Sequence, residues 1–523
     1  MPQSKVLRGL GGKPAFMVKR ILRNRVFSAY STSLLSVFSG LITSFWLLKL
    51  IVNVLPDNYF GAYSLLLQIA SYISVLQLGL DFTVSRFIAE AIAKQEFQKA
   101  NENYWNLIRF NRYVVLVAFL VVVGTAMGIS FGYLFHLFSA EDRTFALVVF
   151  LLIGTNQLVG FLQRPIAAAL IGSNQQHLVN LTAVCKSLAI SLIGGALLLY
   201  TSWGIYGVLI AEILLSTINW WLLRQIKHYK CPWIVKRPVK SEVANFMVQL
   251  KFAAFTTLGG IAWTIEATSD SIILGLTGDL SLVGIYVIWW RFPQMAFDFV
   301  SRLATSAFPA FTTILAQGGE SAKLTLAKYT YISTGLATLA FIGISLWLPS
   351  FIHLWMDGKF DYPNAKILAS LIGFVVYLRI SGNLLGMFIL AANYPKITTR
   401  SAWIQAIVKV MVAGGLVHYL GIIGVVIASL IASVLQVVLL SMFLVRRNWL
   451  SLFTALHSSI IAVAFLILSF FLPESTSFSS IGQFGIGILC TSLGVVLLWC
   501  IILIHSPLRG QLTSLLTKIK TVV

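Results

Sequence analysis

FGAYSLLLQIASYISVLQLGLDFTVSRFIAE occupies residues 60–90. From Phe60 to Thr83 the stretch is predominantly apolar, and it then passes into Ser85, Arg86 and Glu90. About 20 apolar residues suffice for a helix to cross the hydrocarbon core of a bilayer. The stretch therefore reads as a membrane-spanning helix leaving the bilayer near Arg86. Arg86 and Glu90, four residues apart, are placed to pair at that interface. Asp81 lies deeper and shares a face with Gln77 and Ser85. Asp81 and Arg86 are candidate inner-gate residues.

The rest of the chain repeats this pattern. It has 523 residues, of which 58% are hydrophobic and 11% charged. Soluble domains run at roughly 45–50% apolar and about 25% charged. Such a composition defines an all-α, polytopic membrane protein. The net charge of +21 would suggest nucleic acid in a soluble protein. Here the bases collect in the short loops between apolar segments, so no nucleic-acid partner is expected.

The predicted spans are 26–52, 60–83, 110–138, 144–172, 178–200, 203–223, 244–276, 281–315, 324–348, 365–392, 396–418, 420–445, 452–472 and 481–505, about fourteen in all. Loops after even-numbered spans carry Lys94, Lys99, Arg224, Lys227, Lys230, Lys323, Lys328, Lys396, Arg400, Arg446 and Arg447. Loops after odd-numbered spans carry Asp57, Asp142, Asp279, Asp357 and Asp361, with few bases. This bias predicts that both termini are cytoplasmic.

Three pairs of segments point to an internal repeat. FGAYSLLLQ (60–68) parallels VGIYVIWWR (283–291), ALIGSNQQHL (169–178) parallels ILAANYPKIT (389–398), and IYGVLIAEIL (205–214) parallels IIGVVIASLI (422–431). Gly61 aligns with Gly284, Asn174 with Asn393 and Gly207 with Gly424, at offsets of 223, 219 and 217. Six helices per copy make the repeats parallel, related about an axis along the membrane normal. The expected organisation is a basic leader (1–25), a first six-helix bundle (26–223), a cytoplasmic linker (224–243), a second six-helix bundle (244–445), and two extra helices with a basic tail (446–523).

Charged residues inside membrane spans are costly and tend to face wet interiors. The bases set deepest within the spans include Lys49, Arg164, Lys186, Arg291, Arg302, Arg379 and Lys409. The acids include Glu212, Glu266, Asp270 and Asp298. Seven against four leaves a positive surplus of three. Glu212, Ser216 and Asn219 share one helical face, as do Glu266 and Asp270, and as do Arg291, Asp298 and Arg302. Arg379, Arg291, Lys409, Lys186, Arg164 and Arg302 are the candidate lining of a cationic cavity between the two bundles. Guanidinium groups suit phosphate because they form two parallel charge-assisted hydrogen bonds. Glu266 and Asp270 are candidate coupling-ion carboxylates, with pairing to cavity bases as the alternative. Asp298 and Arg302 are spaced to pair with each other.

The chain has no Walker A, HExxH or GxSxG motif, and its histidines and four cysteines form no ligand set. Neither an enzyme, a metal site nor a bound cofactor is expected.

Gly61, Tyr63, Leu78, Gly79, Leu80, Arg86, Phe87 and Glu90 follow a pattern of G-x-Y, a long helix, LGL, then RF and an acid. In this the chain resembles the Wzx-type polysaccharide flippases of the MOP superfamily, relatives of the MATE exporters. The resemblance covers essentially the whole chain. It implies a flippase for an oligosaccharide linked to undecaprenyl pyrophosphate, in the bacterial plasma (inner) membrane, driven by an H⁺ or Na⁺ gradient. It also implies surrounding membrane lipids, and polysaccharide polymerases or glycosyltransferases as partners. Three other readings stand beside it: a MATE-like exporter of small molecules or drugs, a peptidoglycan-precursor flippase, and a membrane-embedded polysaccharide polymerase or ligase.

Overall fold

A computed structural model describes residues 14–77, 80–132, 142–235, 243–317 and 319–451. Every regular element among them is helical. They are α1 (Pro14–Val54), α2 (Asp57–Ser74), α3 (Leu80–Ala93), α4 (Phe97–Ser130), α5 (Asp142–Gly172), α6 (Gln176–Ala189), α7 (Gly195–Tyr200), α8 (Gly204–Lys230), α9 (Val243–Gly275), α10 (Leu280–Gln317), α11 (Gly319–Trp355), α12 (Ala365–Ala391) and α13 (Pro395–Arg446). In lipid a segment must satisfy its own backbone polar groups, and the helix does so locally. Among the described residues, eight helices are long and apolar enough to cross a membrane. The chain is a multi-pass membrane protein. With the broken second segment, α9, α10 and the division of α13 at Gly421 counted beside these eight, the described residues hold twelve helical segments. Residues 1–13 of the leader, linker residues 236–242, the last two expected spans and the tail lie outside the described residues.

Several spans differ from their expected form. The second is interrupted: α2 ends in a 3₁₀ turn, Val75–Gln77, and α3 starts anew at Leu80. The third extends in the N-terminal direction to Phe97 and stops at Ser130 rather than 138. Polar residues continue that helix because Asn101, Asn103 and Asn106 are buried. The fifth carries a π turn, Ile190–Gly194, between α6 and α7.

Among the described residues, those of Met1–Pro56 and Ala70–Thr257 form one compact unit. Those of Asp57–Ile69 and Leu258–Val523 form another. The expected halves would have put 57–69 with the first. In the first unit α5 packs on α3, α4 and α8, and α1 packs on α6. In the second, α12 packs on α10, α11 and α13. Leu368 through Ile380 of α12 are buried without a break, so this helix is enclosed on all sides.

The repeat is visible in backbone detail. Asn174 and Asn393 are both left-handed, at φ 58° and 65°. In both loops the same two hydrogen bonds close the preceding helix: Asn174 N–H to Ile171 C=O with Gln175 N–H to Leu170 C=O, and Asn393 N–H to Leu390 C=O with Tyr394 N–H to Ile389 C=O. A short polar residue tolerates this helix-ending conformation. Gly204 and Gly421 also share a positive φ, at 54° and 53°. Each opens the sixth helix of its repeat, and Gly421 is the kink that divides α13 into two passes.

The loops sort by parity. In the first unit, Val235 N–H donates to Asn101 Oδ1 at 3.0 Å, Trp105 Nε1 donates to Val235 C=O at 2.8 Å, and Trp233 Nε1 donates to Ser173 Oγ at 3.2 Å. These contacts join the loops after the second, fourth and sixth spans at one end. In the second unit, Lys359 pairs with Asp57 at 2.9 Å and Ser281 donates to Asn58 at 2.7 Å. These join the loops after the first, seventh and ninth spans.

Gly421 combines φ 53° with ψ −128°, a region costly for any residue with a Cβ. Gly421→Ala is expected to destabilise the protein by about 1–3 kcal/mol, seen as a lower thermal midpoint in detergent. Gly414→Ala, on a regular helical turn with open space around it, should leave the midpoint unchanged or raise it.

Candidate functional site

The polar centre of the second unit is built from four helices. α9 supplies Glu266 and Asp270, one turn apart. α10 supplies Tyr286 and Trp290, α12 supplies Arg379, and α13 supplies Lys409 and Ser429. Lys409 and Asp270 are both 0% exposed, and Glu266 and Arg379 are 5% and 7% exposed. The Lys409 ammonium lies 2.8 Å from Asp270 Oδ2 and 3.7 Å from Glu266 Oε1, and it donates to the Glu266 carbonyl. The Arg379 guanidinium donates to Glu266 Oε1. Tyr286 Oη and Ser429 Oγ both donate to Asp270 Oδ2, the latter at 3.3 Å.

Aromatic rings close the network. Arg379 lies over the Trp290 ring at 4.9 Å from its centroid. Trp290 stacks on Tyr286 with centroids 6.0 Å apart and planes 9° from parallel. A guanidinium on an indole face gains cation–π attraction while staying dry. From Trp290 a chain of hydrogen bonds runs down α10, through Gln294 at 3.2 Å to Asp298 at 3.0 Å.

Two cations and two carboxylates therefore cancel within one buried cluster. Isolated, each would be prohibitively costly in a low-dielectric interior; paired and hydrogen-bonded, they are tolerated. Of the alternatives open for Glu266 and Asp270, the structure shows pairing with bases. Arg379 and Lys409, expected to line a cavity, are held by those same carboxylates. Sequence reasoning missed Tyr286, Trp290 and Ser429. The regular four-residue spacing of Tyr286, Trp290, Gln294 and Asp298 was the available signal.

The other candidate cations are more accessible. Arg291 and Arg302 are exposed on α10; Lys49 on α1, Arg164 on α5 and Lys186 on α6 are partly exposed. Arg164 lies over the Phe161 ring at 5.4 Å. Lys186 lies within electrostatic reach of Glu212, which also hydrogen-bonds Asn156. Ser216 donates to Asn156 Oδ1 at 2.7 Å and Asn219 donates to Gln163 Oε1 at 2.8 Å. The polar stripe of α8 thus joins α8 to α5, a usual role for polar side chains between membrane helices.

At the end of the second span the expected partner changes. Glu90 bonds Lys94 at 2.7 Å, with Arg86 adding only longer-range attraction. The hydrogen bond and charge of Lys94 hold the Glu90 carboxyl below the usual range, and Glu90 raises Lys94 in turn. Glu90 precedes Lys94 by one helical turn, the favourable orientation for such a pair. Arg86 is exposed, and the Asp81 side chain lies outside the described residues. No cluster of metal-ligating side chains occurs among the described residues.

This architecture is the fold of the MOP-superfamily transporters. A lipid II flippase, MurJ, in an inward closed conformation superposes with a TM-score of 0.66 at 14% identity, covering 92% of this chain and 98% of that one. An inward-facing multidrug resistance MATE transporter superposes with a TM-score of 0.65 at 14% identity, covering 79% and 98%. In sequence the chain is 22% identical over 425 residues to the uncharacterized membrane protein EpsK of Bacillus subtilis (strain 168), covering 78% of this chain and 80% of that one. Residues 29–315 match the polysaccharide biosynthesis protein family, and the chain belongs to it.

Lys409→Met leaves two buried carboxylates facing Arg379 alone. Removing one partner of a buried ion pair costs about 3–5 kcal/mol, so this variant should lose folded protein and thermal midpoint in detergent. Adding Asp270→Leu should recover most of the loss. A fully stable Lys409→Met protein would show that the network carries little of the fold.

Proposed function

We propose that this protein flips an undecaprenyl-pyrophosphate-linked oligosaccharide from the cytoplasmic to the outer leaflet of a bacterial plasma membrane. It acts by alternating access of its two six-helix units, with both termini in the cytoplasm. The observation that carries this reading is membership of a polysaccharide biosynthesis family by a chain with a transporter fold. Lipid-linked saccharide is the class of cargo that joins the two.

The charge distribution supports an anionic cargo. Once Arg379 and Lys409 are set against Glu266 and Asp270, five bases face two acids among the remaining charges of that set: Lys49, Arg164, Lys186, Arg291 and Arg302 against Glu212 and Asp298. The surplus of three sits on the more accessible side chains. Arg291 and Arg302 are the residues we assign to the pyrophosphate, for the fork geometry of the guanidinium. A cation exporter calls for a surplus of carboxylates instead. Polyprenyl-linked peptidoglycan precursor shares the pyrophosphate, and the fold shared with the lipid II flippase supports it as the second reading. We propose an H⁺ or Na⁺ gradient as the drive. A Na⁺ ion at Glu266 and Asp270 has to displace the Lys409 ammonium, which favours a proton. Polysaccharide polymerases and glycosyltransferases are the proposed working partners.

Replacing Arg291 and Arg302 together by Ala, in a strain that depends on this protein, is expected to accumulate lipid-linked sugar on the cytoplasmic face at normal protein level. Two lost charge-assisted contacts at roughly 1.5–3 kcal/mol each predict at least a ten-fold fall in export. Drug sensitivity should stay unchanged. Rising drug sensitivity without lipid-linked sugar would refute the flippase reading.

A further inference from the structure

Two cations near the end of α8 stand close together with no acid to answer them. Arg224 and Lys227 are one turn apart in the last two turns of the helix and lie within electrostatic reach of each other. Arg224 sits over the Trp220 ring at 5.7 Å from its centroid. Lys227 is partly buried, and its ammonium donates to Tyr104 Oη on α4 at 3.2 Å. Among the described residues no carboxylate pairs with either base. The helix dipole favours cations in the last turn, which accounts for the exposed Lys230. It does not account for a lysine drawn out of water against a neutral phenol and beside a second cation. That arrangement carries desolvation and repulsion, both of which an anion relieves.

The setting is built in advance. Tyr104 is buried, and Trp105 and Trp233 brace it edge-on with centroids 5.7 Å and 6.4 Å away. Trp233 belongs to the segment after α8, which folds back over the first unit. Its anchors are the hydrogen bonds of Trp233 to Ser173, of Val235 to Asn101 and of Trp105 to the Val235 carbonyl. Trp233 and Ile234 also pack against buried residues of α3, α4, α5 and α8. Below the two cations, α8 presents Leu214, Ile218, Trp221 and Leu222, all exposed. Positions three and four apart share a face, so these side chains form one apolar stripe. Trp220 and Trp221 mark headgroup depth, where indoles collect. Cations at headgroup depth above an apolar stripe match the form of a phospholipid.

We propose that Arg224 and Lys227 bind the phosphate of an anionic phospholipid whose acyl chains lie along the exposed stripe of α8. The Arg224 fork suits two phosphate oxygens at once. The Lys227 ammonium, steadied by Tyr104, retains N–H donors for another. A zwitterionic headgroup brings its own cation close to Arg224 and Lys230, and no carboxylate is in place to receive it. The site therefore selects a headgroup of net negative charge. Basic pockets between helices on the cytoplasmic side are a usual seat for such headgroups, and in the orientation proposed above this end is cytoplasmic. A bound lipid neutralises the pair and ties α8 to α4 and to the segment that follows it. The site is independent of what the protein carries.

The test uses the full chain purified in detergent and delipidated, with lipid binding followed by native mass spectrometry. Phosphatidylglycerol is expected to bind and phosphatidylcholine to bind more weakly. Arg224→Gln with Lys227→Gln should weaken phosphatidylglycerol binding by about ten-fold or more, for two lost charge-assisted contacts. Arg224→Lys with Lys227→Arg should retain most of it. Lys94→Gln with Lys99→Gln, which removes two exposed bases at the same end of the unit, should leave it unchanged. Unchanged binding in the Arg224 and Lys227 pair, or an equal loss in the Lys94 and Lys99 pair, would overturn the proposal. If the first pair does not fold, photolabelling of the unaltered chain decides. Phosphatidylglycerol with a diazirine on its headgroup is expected to label residues 220–235, and labelling concentrated elsewhere would overturn the proposal. Undecaprenyl pyrophosphate displacing that label at lower concentration than phosphatidylglycerol would assign the site to cargo and overturn it as well.

Discussion

Lys409 is a lysine with no exposed surface, deep in a membrane protein, and the second unit is arranged around accommodating it. Its ammonium needs anions within contact distance, and α9 offers two, a turn apart. Two carboxylates facing one ammonium leave a negative excess, which Arg379 removes from α12. Arg379 in turn needs a dry surface for its planar face, which Trp290 supplies. Each charge thus dictates the next neighbour, and four helices are tied together at one depth. Arg379 is the one charged residue in the buried run Leu368–Ile380 of α12, so the network also sets the rotation and register of this helix. Buried ionic groups are better attested as setting register than as adding stability.

The first unit solves the same problem with less charge. Its contacts between α5 and α8 run through amides and hydroxyls, and Lys186 and Glu212, both partly buried, lie only within electrostatic reach of each other. The two repeats therefore share backbone features, down to the left-handed Asn174 and Asn393 and the turn glycines Gly204 and Gly421, while differing in the polarity of their interiors. Shared backbone with divergent side chains is expected of a fold whose scaffold is fixed by helix ends and close crossings, and whose chemistry is written in the grooves between.

Much of this was legible in the sequence. Loop charge predicted which loops lie together, because parity is a counting property. The repeat was readable because glycine and asparagine mark backbone conformations that few other residues adopt. The polar faces of α8, α9 and α10 followed from helical spacing. Spacing reports only what one helix presents, and not what answers it. Glu266 and Arg379 are 113 residues apart, and nothing local announces that Arg379 is spent on Glu266 rather than facing a substrate. The same limit hid the interruption at Val75–Gln77, where hydropathy continues unchanged, and the packing of residues 57–69 with the second unit. Glu90 had two eligible partners a turn away on either side, Arg86 and Lys94, and only the geometry chose Lys94.

The central claim is that the cargo is a pyrophosphate-linked saccharide, recognised by its charge. The most direct test is translocation in proteoliposomes of the purified full-length chain, comparing an oligosaccharide on undecaprenyl pyrophosphate with the same oligosaccharide on an uncharged polyprenyl ether. The account predicts that the pyrophosphate-linked sugar reaches the opposite leaflet at least ten-fold faster than in protein-free liposomes, and that the uncharged lipid shows no such acceleration. Equal acceleration of both lipids, or of neither, would contradict it.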